Sequence, residues 1–290
     1  MFGRIAIPYL LMSFTGLFIA ACSSNRESPD DYLNKAREML EEDQYQMAKL
    51  YIDSVGILFP KEYSKIREGR VVMREVNSAE QKRTLAFCDS MLKVRQDELP
   101  TVSKNFVFQK DAEYESIGHY VYRTQLTDNN FGRTYLQTKV DEKGRLVLTS
   151  YYSGARSLGH SKIKVSGSDG TFAETLNVPN DGALNYAFKD GGTNYEIVRF
   201  NNKTENGVVN FILMHLDKSV NVELIGRSNK TYQINSQDKQ ATKAASDLSV
   251  VLTDINRLLN EIHLAQAKLE YLYNKENNTL PASESEHDNN

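Results

Sequence analysis

"SDLSVVLTDINRLLNEIHLAQAKLEYLYNK", Ser246–Lys275, decides the architecture of this chain. Leu248, Leu252, Ile255, Leu259, Ile262 and Leu269 follow one another in alternating four- and three-residue steps, with Gln266 the one polar member. Over about three heptads that is the seam of a coiled coil. Ser236 stands at an N-cap position and Asp238 in the first turn, so the helix is expected over residues 236–275. A second segment of similar length lies near the other end, over residues 61–100. Ile66, Gly69, Met73 and Val76 mark its first seam, which fades through "NSAEQKR" (Asn77–Arg83). The seam returns on another phase as Leu85, Cys88, Leu92 and Leu99, widened by Phe87, Met91 and Val94, and Pro100 is expected to end it. Each helix is about 40 residues, or roughly 60 Å, long. Leaving such a seam in water forgoes about 1.5–3 kcal/mol per large side chain. Two solutions follow: the helices bury their seams against each other, or the C-terminal helix pairs with a second copy in a homodimer.

Between the helices, residues 105–235 change character. "YVYRTQL", "GRLVLTSYY", "SKIKVS", "YEIVRF", "VVNFILMHL", "VNVELIG" and "KTYQI" are β-branched and aromatic, and turn signals separate them at short intervals. An antiparallel meander of seven to nine strands is expected, as a sandwich or a barrel. Lys162-Ile163-Lys164-Val165 alternates, so one sheet face is wet; "VVNFILMHL", apolar on both faces, is expected to be the central strand. The fold class is therefore α+β, a β head carried on a helical stalk.

Upstream, "DDYLNKAREMLEEDQYQMAKLYIDSVGILFP" reads as two short amphipathic helices over residues 32–60, with Asp43-Gln44 between them. Tyr32, Ala36, Met39, Ala48, Ile52, Val55 and Pro60 resemble the aromatic, small, apolar and proline positions of one tetratricopeptide repeat. Lys35 departs from the leucine of that pattern, and Lys82 stands where a second unit would place alanine. One hairpin forms no peptide-binding groove, because such repeats need neighbours to bury their faces. The resemblance thus implies a helical hairpin packed on the rest.

The chain opens with a short basic start and an apolar run, Ile5–Ala21, relieved by Pro8, Ser13, Thr15 and Gly16: the layout of a secretory signal peptide over residues 1–21. Ile19-Ala20-Ala21-Cys22 resembles the lipobox of bacterial lipoproteins. That resemblance implies peptidase recognition at Ile19, Ala20 and Ala21, cleavage before Cys22, and diacylglycerol on its thiol with further acylation such as palmitate. Two or three chains, at about 0.8 kcal/mol per buried methylene, anchor far better than one. Residues 22–31 then serve as a flexible tether. Ser23, in place of a retaining aspartate, implies the outer membrane, with the periplasmic face favoured, and the whole resembles lipoproteins of Bacteroidales envelopes. The tail, residues 276–290, is polar enough to be disordered.

Chemistry is harder to find. With 40% apolar and 25% charged residues the chain has enough apolar material for a core, and a net charge of −3 gives no footprint for nucleic acid. Two cysteines make no disulfide framework, and Cys88 falls on an apolar stripe as a buried structural thiol. His119, His160, His215, His263 and His287 show no metal-ligand spacing, and no cofactor motif is present. "GARSLGHS" (Gly154–Ser161) misses the GxSxG spacing by one residue and is read as a loop. The candidate binding surface is the tyrosines of the β region, Tyr151, Tyr152, Tyr186 and Tyr195. The leading function is a non-enzymatic binding or scaffolding lipoprotein that contacts a protein in the envelope. A glycan binder without tryptophan is second. A hydrolase is third, to be revived by a convergent pocket that holds His160 or His215 beside a serine and a carboxylate.

Overall fold

A computed structural model describes residues 27–277 apart from 111, 112, 114, 115 and 202. The leader, Ile19, Ala20, Ala21 and Cys22, and the tail from residue 278 lie outside the described residues. The fold is α+β, with five helices and ten strands among those residues. The chain divides into two units at Ala79/Glu80. That point lies inside "NSAEQKR", where the apolar seam changes phase.

The first unit is built from three helices: α1 (Pro29–Glu41), α2 (Tyr45–Leu58) and the first part of α3 (Tyr63–Ser103). Helix α1 begins at Pro29, so residues 29–31 are helical where the sequence suggested tether. The cause is a capping box: Asp31 N–H donates to Ser28 Oγ at 3.3 Å, and the Asp31 carboxylate accepts Ser28 N–H at 2.7 Å. Proline suits the first helical turn because it has no N–H to leave unpaired there. Ala36, Ala48, Ile52, Val72 and Val76 form the core, and Tyr32 meets Phe59 edge-on at 6.0 Å. Helix α3 runs past Pro100 to Ser103. A proline in the last turn forfeits one intrahelical hydrogen bond, to the Gln96 carbonyl, and its fixed φ is already helical.

The second unit holds two antiparallel sheets. The first has the order β1-β2-β3-β4-β8-β7, built from Phe106–Gln109, His119–Tyr122, Tyr135–Asp141, Leu146–Gly154, Thr193–Phe200 and Asn185–Asp190. The second has the order β10-β9-β5-β6, from Lys230–Gln233, Val220–Ile225, Lys162–Gly167 and Phe172–Glu174. The chain leaves the first sheet after β4 and returns for β7 and β8, so it is not one meander, and neither sheet closes into a barrel. Leu136, Leu148, Val198 and Phe200 of one sheet share a core with Ile163, Val165, Val222 and Leu224 of the other.

"VVNFILMHL" is not a strand. It forms helix α4 (Val208–Met214), with Val208, Val209, Phe211 and Ile212 buried on one face. An apolar run this short fits a buried strand or a buried helix equally well. The turn before it selects the helix: Asn206 and Gly207 have φ of 54° and 85°, where glycine meets no steric penalty, and the Glu205 carboxylate accepts the N–H groups of Gly207 and Val209. Lys239 completes the other end. Its ammonium, largely buried, donates to the carbonyls of His215, Leu216 and Lys218.

Helix α5 (Ser236–Asn277) corrects the predicted seam. Leu248, Val251, Leu252, Leu258 and Ala265 are buried and Ile255, Ile262 and Leu269 half-buried, so of the expected row only Leu259, 47% exposed, and Gln266 face outward. The inward row steps 248-251-255-258-262-265-269, so Ala265 replaces polar Gln266 on the packed face. Both phases have heptad spacing; the one that keeps an amide out of the interface wins. The second half of α3 closes on part of this row. Leu99 and Val102 pack with Ala245, Leu248 and Leu252, and Arg95 pairs with Asp254 at 2.8 Å.

Candidate functional site

Strands β4 and β8 are neighbours in the first sheet, and each places different chemistry on its two faces. On the core face the register sets Tyr152 opposite Glu196 and Ser150 opposite Val198. Loop Ser157–Ser161 then brings His160 between Ser150 and Glu196. His160 Nδ1 lies 2.6 Å from Glu196 Oε2, and Nε2 lies 3.1 Å from Ser150 Oγ. A carboxylate can only accept, so Nδ1 carries the proton, and in the neutral ring Nε2 accepts from the serine hydroxyl. These are the contacts of a serine–histidine–acid relay.

Access and electrophile stabilisation are both missing from this arrangement. Ser150, His160 and Glu196 are 0%, 1% and 2% exposed. The amides of Leu158, Gly159 and His160, the local candidates to cradle an oxyanion, donate instead to Glu196 at 2.7, 2.8 and 3.0 Å, and Ser157 Oγ adds a fourth bond at 2.8 Å. Burial pushes the Glu196 carboxyl up, but the donors from His160, Gly159 and Ser157 outweigh it and hold it at about 2. Gly226 lets the loop seat: a Cβ there would stand 2.6 Å from the carbonyl oxygens of Leu158 and Gly159. "GARSLGHS" is thus a loop wound around a buried carboxylate. The constellation named in the sequence does converge, and it forms a clamp.

The opposite face of the same sheet is aromatic. Tyr151, Ile197 and Tyr186 lie in one cross-strand row, with Ser153, Tyr195 and Phe188 in the next. Tyr195 is stacked between Phe188 (4.9 Å, 11°) and Phe131 (5.1 Å, 30°). Tyr151 stacks on buried Tyr135 at 4.9 Å and 9°, and the Arg199 guanidinium lies over Tyr186 at 5.4 Å. Phe131 is 65% and Phe188 45% exposed, and the three tyrosines are half-buried. Of the four tyrosines singled out in the sequence, Tyr151, Tyr186 and Tyr195 come together here.

Tyr152 does not. It belongs to the core, its hydroxyl donating to the Arg156 carbonyl at 2.6 Å. Adjacent strand residues point to opposite faces, so Tyr151 and Tyr152 were never able to share a surface. The same rule places Phe188 beside Tyr186, a signal present in the sequence and missed. Phe131 had none, because it arrives from the turn after Thr127–Asn130.

The other candidates are structural or shallow. His215 Nδ1 bonds the Phe211 carbonyl at 2.8 Å while its ring stacks on Phe211. Cys88 is buried, and burial pushes its thiol up. An open depression of about 460 Å³ at edge strand β6 is lined by Lys162, Phe172, Glu174, Leu176 and Asn206. Among the described residues no group of three histidine, cysteine, aspartate or glutamate side chains could hold a metal ion, and no helix is long and apolar enough to cross a membrane. Comparison of the chain with profiles of known protein families, with curated proteins and with solved structures finds no match.

Proposed function

We propose that this chain is a membrane-anchored envelope lipoprotein, acylated at Cys22 and resident at the outer membrane, whose β unit binds a protein partner as a scaffold. The observation that carries the binding half is the aromatic face of β4, β8 and β7. Phe131 and Phe188 expose large apolar area beside Tyr186, Tyr195 and Arg199, the residue types that dominate protein interfaces. Exposed apolar surface of this kind costs solubility unless something covers it. The lipobox at Ile19–Cys22 supports the anchored half.

A photo-crosslinking residue at Phe188 in the full chain, activated in intact envelopes, tests the reading. One polypeptide should be captured repeatedly, and capture should fail when Phe131 and Tyr195 are both changed to serine. Adducts containing only polysaccharide would overturn the protein partner in favour of a glycan ligand.

A further inference from the structure

We propose that the end of the N-terminal helical unit formed by the α2–α3 turn docks on the lipid surface, inserting Ile57, Leu58 and Tyr63 at the level of the headgroups. The inference rests on acylation of Cys22. Ile57, Leu58 and Tyr63 are 75%, 54% and 72% exposed, three apolar side chains at a tip that also carries exposed Pro60, Lys61 and Glu62. None of the three contributes to the core of its unit.

Position identifies the occupant. Helix α2 runs back along α1, so its end returns to where α1 begins. Tyr32 touches Phe59 at 6.0 Å, and Lys65 donates to Asp30. The tip therefore shares an end of the unit with Ser28, the cap of α1. Cys22 precedes Ser28 by six residues, and an extended chain covers about 3.3–3.6 Å per residue, so the acylated cysteine lies within about 20 Å of that cap. An apolar tip held that close to a bilayer has the bilayer as its nearest apolar phase. The residue types agree: tyrosine favours the membrane–water interface, and lysine lays its stem along apolar surface while its ammonium reaches outward.

The chain contains no tryptophan, so single substitutions give clean probes. Ile57→Trp and Tyr63→Trp report on the tip; Gln44→Trp, in the exposed α1–α2 turn at the opposite end of the hairpin, is the control. Each full-length chain is expressed with lipid processing, checked by circular dichroism, and reconstituted into phosphatidylethanolamine and phosphatidylglycerol vesicles with or without brominated acyl chains. The tip probes should shift to the blue and lose emission by about twofold with shallow bromines, matching a burial depth of about 5–10 Å, while Gln44→Trp changes in neither respect. Two results would overturn the docking and leave the anchor standing: vesicle-bound chains with no quenching at either tip position, or equal quenching at Gln44→Trp. A wild-type chain that carries no fatty acid on Cys22 and fails to float with vesicles would overturn the anchor, and the docking with it.

Discussion

Replacing Glu196 with glutamine removes one charge and almost no volume, and it should unlock the Ser157–His160 loop. The carboxylate accepts five hydrogen bonds: Oε1 from Ser157 Oγ and the amides of Leu158 and Gly159, Oε2 from the amide and Nδ1 of His160. Glutamine offers one acceptor oxygen. If that oxygen serves the Oε1 site, the amide –NH₂ faces the two His160 donors. The imidazole can shift its proton to Nε2 and accept; the backbone N–H of His160 cannot. An orphaned buried amide costs about 1–3 kcal/mol, and the remaining bonds fall from charge-assisted strength toward about 1 kcal/mol each. The total comes to about 4 kcal/mol. Proton linkage gives a similar figure: a carboxyl moved from 4.5 to about 2 corresponds to about 3 kcal/mol, at 1.36 kcal/mol per unit. Hydrogen exchange of the Leu158, Gly159 and His160 amides reads the loss directly, and it should accelerate by at least about a hundredfold. The sign with pH is fixed as well. Glu196 is depressed in the folded state, so its contribution is complete above pH 4.5 and disappears as pH falls toward 2. Wild type and Glu196→Gln should therefore converge in stability over that window. Amide exchange in Glu196→Gln within threefold of wild type, or an unchanged stability gap down to pH 2, would refute the clamp.

Two further substitutions probe the packing. Leu258→Ala should cost about 2–5 kcal/mol in urea unfolding, as a buried seam leucine, whereas Leu259→Ala should stay within about 0.5 kcal/mol; the reverse ranking would restore the other heptad phase. Lys239→Met leaves the carbonyls of His215, Leu216 and Lys218 without their shared donor, and should cost about 1–3 kcal/mol, measured as a lower urea midpoint with loosened exchange at the end of α4.

The parts of this fold legible in the sequence are those set by period and length. The α+β class followed from the long 3.5-residue repeats and the short β-branched runs between them, and Lys162–Val165 does alternate between wet and buried. The failures share a physical origin. "VVNFILMHL" is saturated with apolar residues, so no period survives in it, and the choice of helix was made outside the run by Asn206, Gly207 and Glu205. The seam of α5 departs from the expected row at Leu259 and Gln266, because apolar residues stand on both flanks: Leu252 and Val251 are both buried, and one turn on Leu258 takes the inward place of Leu259. Only the partner surface distinguishes them. Ten strands form against the seven to nine expected, and β6, three residues at the edge of its sheet, is too short to show a period of its own. The Ser150–His160–Glu196 cluster joins residues up to 46 positions apart through the pairing of β4 with β8, which no local pattern encodes. Of the aromatic face, the three tyrosines are legible in the β-rich runs, and strand alternation alone excludes Tyr152 and admits Phe188.

Strand β8 ties the two faces of the first sheet together. Glu196, Val198 and Phe200 point into the core, while Tyr195, Ile197 and Arg199 point out, so the backbone that the clamp fixes also sets the spacing of the aromatic rows. Tyr195 sits one residue from Glu196, between the rings of Phe131 and Phe188. Association costs about 0.5–1.5 kcal/mol for every side chain it must immobilise, so a surface already ordered from behind binds more tightly than one that orders on contact. A serine, a histidine and a glutamate, buried and bonded to each other and to the loop, supply that order. This also accounts for an ionised carboxylate in the core: leucine at Glu196 would fill the space, but it would leave the amides of Leu158, Gly159 and His160 unpaired, the loop free to swing and the rows of rings above it unfixed.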